Sequence, residues 1–109
     1  MRKLRFIVDD QIIKPDPDCD FSNLVPGTEG YLQAEFEFTS HWNGCVKVAA
    51  FFSAGQECPP QKLKNGKTCI IPAEACKNQY FKVQVLGRGK NRYKILTNTV
   101  IIDQNGGKA

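Results

Sequence analysis

Three aspartates at alternate positions form the first group that could do chemistry: Asp16, Asp18 and Asp20. The D-x-D-x-D spacing opens calcium loops, because alternate carboxylates can converge on one hard cation. An EF-hand loop also needs glycine at its sixth position and glutamate at its twelfth, and these positions hold Phe21 and Gly27. We therefore expect a solvated acidic loop and no metal ligands.

Two further motifs fall short of the chemistry they suggest. His41 precedes Cys45 by four residues, but a turn followed by a strand does not aim such side chains at each other. We interpret His41 and Trp42 as the lead into a core strand, with Trp42 capping the core. Residues 87–89, Gly-Arg-Gly, resemble the start of a phosphate loop but lack a third glycine and a following helix. The sequence thus predicts a hairpin turn there, and a non-enzymatic protein with no catalytic residues and no cofactor.

The chain holds an odd number of cysteines without any C-x-x-C pair, which indicates neither a disulfide framework nor a zinc knuckle. They are Cys19, Cys45, Cys58, Cys69 and Cys76. Cys45 and Cys69 lie in apolar runs, where cysteine behaves as a small hydrophobe. We expect five free thiols in a reducing compartment.

Charge is divided unevenly along the chain. Residues 1–40 carry four basic and eight acidic side chains and residues 41–109 carry eleven and three, so the two parts have net charges of −4 and +8. Four cations alternate around one predicted turn: Arg88, Lys90, Arg92 and Lys94. Such a cluster could hold a nucleic-acid backbone, could meet an acidic protein patch, or could be a solvated turn. We expect a docking surface, with the loop carrying Asp16, Asp18 and Asp20 of a second copy as its first candidate partner.

The sequence predicts that β-strands position these candidate residues. Residues 31–39 and 80–86 alternate apolar and polar side chains with the period of two that a half-buried strand requires. Residues 4–8, 45–53, 67–71 and 92–103 are the other strand candidates, and parity in the last becomes ambiguous near Thr97. Residues 14–30 read as a loop, and residues 72–76 as about one helical turn. The pattern predicts an all-β fold, a small antiparallel β-sandwich (Ig-like or related) of six to eight strands with one short helical turn.

Length and composition limit the class of protein. A chain of 109 residues with 41% hydrophobic residues forms one domain, which we place at residues 1–104 with a flexible tail at 105–109. Apolar content is too high for a disordered chain, and no apolar run approaches the roughly 20 residues that span a bilayer. Asp9 and Asp10 end the N-terminal apolar run after a few residues, so no signal peptide and no membrane association are expected.

Five segments in fixed order resemble a known family. They are F-E-F-x-x-x-W-x-G (36–44), V-K-V-A-A-F-F (46–52), G-K-T-C-I-I-P-A-E-A (66–75), F-K-V-Q-V-L-G (81–87) and L-T-N-T-V-I-I (96–102). Together they resemble the small β-sandwich domains encoded in the structural-gene regions of tailed phages and prophages of Firmicutes. These domains are similar to the N-terminal, virion-attaching domain of baseplate upper proteins.

The resemblance implies a virion structural protein that resides in the host cytoplasm during assembly and docks on other phage proteins or on itself. Related chains often continue after the last strand into a linker, coiled coil or receptor-binding module. This sequence stops there, which favours a baseplate or tail adaptor, or a capsid cement or decoration subunit. An alternative is a phage inhibitor of host defence whose basic hairpin mimics or blocks nucleic acid. Direct DNA or RNA binding has the charge, but Tyr93 is the only aromatic residue near the cations.

Overall fold

A computed structural model describes residues 1–105, which form ten strands and two short 3-10 helices. The strands are β1 (Arg2–Asp9), β2 (Ile12–Pro15), β3 (Leu32–Phe38), β4 (Val46–Ser53), β5 (Gln56–Glu57), β6 (Gln61–Lys62), β7 (Thr68–Ile70), β8 (Tyr80–Arg88), β9 (Lys94–Leu96) and β10 (Val100–Asp103). The 3-10 helices are Ser40–Trp42 and Ala73–Lys77. The predicted helical turn is therefore present, shifted by one residue, and the first 3-10 helix was not predicted.

The strands form two sheets around one apolar core, which confirms the predicted all-β sandwich. Sheet A has the order β2-β1-β3-β7, and sheet B has the order β10-β8-β4-β5 with β6 also on β4 and β9 also on β8. The strand count exceeds six to eight because β2, β5 and β6 have only two to four residues each, too short for a period of two to show. Of the predicted tail 105–109, residues 106–109 lie outside the described residues, and the domain limits 1–104 stay a prediction.

One strand pair corrects the expectation of a purely antiparallel sheet. β1 and β3 are parallel, with Leu4 beside Ala34 and Phe6 beside Phe36. A parallel pair needs a crossover connection of a dozen or more residues, and the loop that follows β2 supplies it. This loop begins after Pro15 and not at residue 14 as predicted, because Lys14 and Pro15 pair with β1 as part of β2. Leu24 is buried on the way, so this loop crosses the end of the core rather than hanging in solvent.

Aromatic rings fill the interior near sheet A. Phe6 stacks on Phe36 with 5.3 Å between ring centroids, Phe36 lies 6.1 Å from Phe38, and Phe38 lies 5.1 Å from Trp42. Trp42 has no exposed surface, and its indole nitrogen donates a 2.7 Å hydrogen bond to the Asp10 carbonyl. Trp42 therefore closes the core at the end where β1 and β3 finish, as the sequence indicated.

The segment between β9 and β10 supplies a side chain to the edge of sheet A. This is the segment near Thr97 in which the alternation of apolar and polar residues was ambiguous. The chain leaves the sheet between β9 and β10, and the Thr97 hydroxyl accepts a 3.0 Å hydrogen bond from the Val85 amide. The Asn98 side chain then accepts a 2.7 Å bond from the Ile13 amide and donates a 3.4 Å bond to the Ile13 carbonyl. Asn98 thus replaces a missing neighbour strand of β2 and ties the two sheets together.

Asn98→Ala is expected to lower the free energy of unfolding by about 1–3 kcal/mol, because it leaves the partly buried Ile13 amide without its acceptor. Denaturant titration of the wild type and the variant measures this loss. Asn91→Ala, at an exposed position in the turn before β9, is the control and should unfold like the wild type. Equal unfolding midpoints for all three proteins would contradict the proposed link between the sheets.

Candidate docking surfaces

The basic hairpin, residues 88–94, joins β8 to β9 as the sequence predicted. Arg88 and Lys94 are directly opposite each other across the two strands. The Gly89 amide donates a 3.1 Å hydrogen bond to the Tyr93 carbonyl, and Arg92 has a left-handed backbone with φ 63°. The structure thus brings the four predicted cations onto one tight turn.

The cations of the basic hairpin have no carboxylate partner among the described residues. All four are exposed: Arg88, Lys90, Arg92 and Lys94. Within residues 1–105 the one ion pair joins Lys3 to Glu35, at 3.7 Å. Like charges directly opposite on neighbouring strands destabilise a hairpin, so the pair Arg88 and Lys94 opposes folding of its own turn. An external anionic group at this position would relieve that repulsion.

The Tyr93 ring covers Gly89, where a Cβ atom would overlap the ring. The Tyr93 hydroxyl lies 3.3 Å from the Cys45 sulfur, and this hydrogen bond raises the pKa of Tyr93. His41 lies elsewhere, with its Nδ1 atom 3.2 Å from the Thr39 hydroxyl. His41 and Cys45 therefore have different partners, and the structure does not bring them together as a nucleophile pair.

The acidic loop bonds mainly to itself. An Asp16 carboxylate oxygen accepts a 2.9 Å bond from the Asp18 amide, and one of Asp20 accepts a 2.8 Å bond from the Ser22 amide. The bond from the Ser22 hydroxyl is the largest cause that lowers the pKa of Asp20. In the described part of the chain no three potential ligands gather into a metal site. Two of the three predicted carboxylates thus stabilise turns of their own loop.

The acidic loop and the basic hairpin lie toward opposite ends of β1. The loop begins at Asp16, whose amide bonds the Arg5 carbonyl, and Asp20 receives the Arg2 guanidinium on its carbonyl. The other end of β1 meets Trp42, which packs against Gly87 beside the hairpin. Eight residues of strand span roughly 26 Å. The two charged segments can therefore meet only between copies.

The outer face of sheet B is a surface that the sequence interpretation missed. Its members are the outward side chains of the paired strands: Val46, Val48, Ala50, Phe52, Glu57, Lys62, Tyr80, Lys82, Gln84, Leu86, Arg88, Lys94, Leu96, Ile101 and Asp103. Val46 and Ile101 are 54% and 55% exposed. The sequence signal for this face was β4, which has apolar residues at both its even and its odd positions. A strand with one solvent-exposed face alternates apolar and polar residues instead.

All five cysteines are free thiols, as predicted. Four are buried, and Cys19 is half-buried. Burial raises the pKa of Cys69 to about 12 and that of Cys76 to about 11, since desolvation disfavours the thiolate. These groups act as small core side chains rather than nucleophiles.

The raised thiol pKa values predict instability at alkaline pH. The unfolded chain loses its thiol protons above about pH 9, while folded Cys69 keeps its proton until about pH 12, so stability is full below pH 9 and falls as pH rises through this window. Each such thiol contributes about 1.4 kcal/mol of loss per pH unit. Unfolding at pH 8 and pH 10 should show a smaller loss for Cys69→Ala than for the wild type. An identical loss would contradict this origin.

The fold and its surfaces define a small all-β domain with two sheets, one basic hairpin and one outer face that mixes apolar and charged side chains. No family model matches the chain, and no curated protein or solved structure matches it. No helix within residues 1–105 has the length and apolar character needed to cross a membrane.

Proposed function

We propose that this chain is a non-enzymatic structural protein of a phage virion, either a baseplate or tail adaptor or a capsid cement or decoration subunit. The order of its five motifs supports the virion class through the resemblance described above. The geometry of the basic hairpin supports action by protein–protein docking. The partner that its chemistry fits is an acidic patch on another virion protein.

The observation that carries docking is the direct opposition of Arg88 and Lys94 without a counterion among the described residues. Each exposed ion pair contributes roughly 0–1 kcal/mol, so docking needs several pairs together with apolar burial. Lys90 and Arg92 supply further cations at the tip, and the exposed Val46 neighbours Arg88 on β4. The hairpin therefore presents charge and apolar surface side by side.

Mass spectrometry of purified particles of the encoding phage tests the virion assignment, with the chain expected at a fixed copy number. The double variant Arg88→Glu/Arg92→Glu should fold normally and be lost from the particles. Lys64→Glu/Lys67→Glu, which makes the same change in charge on another exposed turn, is the control and should be retained. Particles that lack the wild-type chain would contradict the proposal.

A phage inhibitor of host defence is the second candidate, favoured by the 44% exposed Tyr93 among the hairpin cations. An exposed aromatic ring beside cations suits contact with nucleic acid or with a protein that binds it. Salt-sensitive retention on single-stranded DNA that Tyr93→Ala weakens, for a chain absent from particles, would support this reading. Retention that Tyr93→Ala leaves unchanged would reflect charge alone.

A further inference from the structure

The outward side chains of sheet B lie in rows across the strands, and the register of each strand pair assigns every side chain to its row. The Leu86 row holds Lys62, Val48, Leu86 and Leu96. The Lys82 row holds Glu57, Phe52, Lys82 and Ile101. The outermost rows are Val46, Arg88 and Lys94 at one end and Tyr80 and Asp103 at the other. Gln84 and Ala50 form the middle row.

The charges on the two edges of this face are arranged with opposite signs about the middle row. At the edge formed by β5 and β6, Lys62 lies in the Leu86 row and Glu57 in the Lys82 row. These rows are each two residues from the Gln84 row, on opposite sides of it. At the opposite edge, Lys94 and Asp103 lie four residues to either side of the same row. Each of these two edge cations therefore has an anion at the mirrored position on its own edge, whereas Lys82 and Arg88 on the central β8 mirror Leu86 and Tyr80.

We propose that a second copy of the chain binds this face, with its strands antiparallel to those of the first, about a two-fold axis that crosses the strands at Gln84. Such an axis lies between the facing sheets and brings each row of one copy over the mirrored row of the other. Lys62 then faces Glu57 of the second copy, and Lys94 faces its Asp103. This arrangement makes four ion pairs, and it does not depend on the virion assignment.

The same two-fold axis also brings apolar side chains of the two copies into contact. Leu96 faces Ile101 of the second copy, and Val48 faces its Phe52. Val46, 54% exposed, comes over the far end of the opposing β4. A surface depression of about 310 Å³ lies there, lined by Phe52, Ala54, Gly55, Tyr80, Lys82 and Thr99. The projecting valine thus meets a hollow, which adds shape complementarity to the matching charges.

Other arrangements of two copies fit less well. Parallel strands would bring the Arg88 row onto itself and so gather Arg88 and Lys94 of both copies in one row, without any anion. Docking of the basic hairpin on the acidic loop is weakened because Asp16 and Asp20 already accept hydrogen bonds within that loop. The antiparallel dimer instead uses Glu57 and Asp103, both exposed and without an ion-pair partner among residues 1–105.

The small area of the face limits the expected strength of the dimer. Four strand positions at about 4.8 Å and nine residues at about 3.3 Å cover roughly 570 Å² per copy. The total of about 1,100 Å² is at the lower limit for a specific interface. Two sheets packed face to face lie about 10 Å apart and turned by about 30°, which leaves the edge pairs wet. We therefore expect a weak dimer in the micromolar range that high salt weakens further.

Sedimentation equilibrium of the full chain, from micromolar to millimolar concentration, tests the face. Wild type should dimerise, and Ile101→Glu should weaken dimerisation at least tenfold. The control is Ile12→Glu, since Ile12 is 58% exposed in a strand of sheet A, against 55% for Ile101. A wild type that stays monomeric at 1 mM, or a dimer that Ile101→Glu leaves intact, would overturn the proposal and leave a foreign protein as the occupant.

A mixing experiment tests the symmetry. Lys62→Glu alone and Glu57→Lys alone should each dimerise more weakly at low salt, because like charges then face each other across the two-fold axis. An equimolar mixture of the two variants should form heterodimers as tight as the wild-type dimer, since both edge pairs regain opposite signs. The two positions are four residues of strand apart within one chain, roughly 13 Å, so an internal pair does not explain such rescue. A mixture no tighter than either variant would overturn the antiparallel arrangement.

Discussion

Replacing Trp42 with alanine is expected to lower the free energy of unfolding by about 3–5 kcal/mol. The side chain has no exposed surface and lies 5.1 Å from the Phe38 ring, so its removal opens a cavity at the end of the core. The 2.7 Å bond from the indole to the Asp10 carbonyl is lost as well. Denaturant unfolding followed by circular dichroism measures the change, because the variant lacks the chain's one tryptophan.

Two control variants separate packing from position. Trp42→Phe keeps a ring and removes only the hydrogen bond and part of the volume, so it should lose less stability than Trp42→Ala. His41→Ala, one residue earlier and exposed, should unfold like the wild type. A Trp42→Ala protein with an unchanged melting temperature would contradict the assignment of Trp42 to the core.

Gly87→Ala is expected to destabilise the chain by about 1–3 kcal/mol or more, an effect of overpacking. A Cβ atom at this position would lie 2.6 Å from Cζ3 of Trp42 and 3.0 Å from Cγ2 of Ile95. The Trp42 ring is enclosed and cannot move aside. Gly89→Ala is the matched control: its Cβ would overlap the Tyr93 ring, but that ring is 44% exposed and can swing into solvent. We expect a clearly smaller loss for Gly89→Ala.

A double-mutant cycle tests the cause of the Gly87 effect. Once Trp42 is alanine, a methyl group at position 87 enters space that the indole has left, so Gly87→Ala should become nearly neutral in that background. The two losses should therefore be far from additive. Additive losses would show that Gly87 is needed for a reason other than its contact with Trp42.

The sequence predicted elements whose evidence is local. Alternation at residues 31–39 and 80–86 gave β3 and the greater part of β8, because period two is a property of a single strand. The same period says which face a side chain occupies but not which strand lies beside it. The parallel pairing of Phe6 with Phe36 was therefore outside its reach.

The turn at Asn65 and Gly66 also shows that local sequence does not determine which strands pair. Asn-Gly is the strongest sequence signal for a two-residue hairpin turn, and both residues have the positive φ that such a turn requires, 54° and 69°. Yet the strands on either side belong to different sheets, since β6 pairs with β4 and β7 pairs with β3. Turn chemistry is decided by two residues, whereas strand partners are decided by packing across the whole core.

The two docking surfaces also differ in how far the sequence could predict them. The basic hairpin could be predicted because its cations and its turn lie within seven residues of sequence. The mirrored charges of sheet B could not, since Lys62 and Glu57 acquire their rows only through pairing with β4. Such patterns become visible only when the register of each strand is known.

The hydrogen bonds between Asn98 and Ile13 join groups 85 residues apart in sequence, which has a consequence for synthesis of the protein. A ribosome adding about 5–20 residues per second needs about 4–17 s to deliver Asn98 after Ile13. During that time the nascent chain can pair β1 with β2, but the outer edge of β2 has unpaired backbone groups that invite contact with other chains. We therefore expect the emerging N-terminal hairpin to be the segment most in need of protection from other chains until Asn98 has been made.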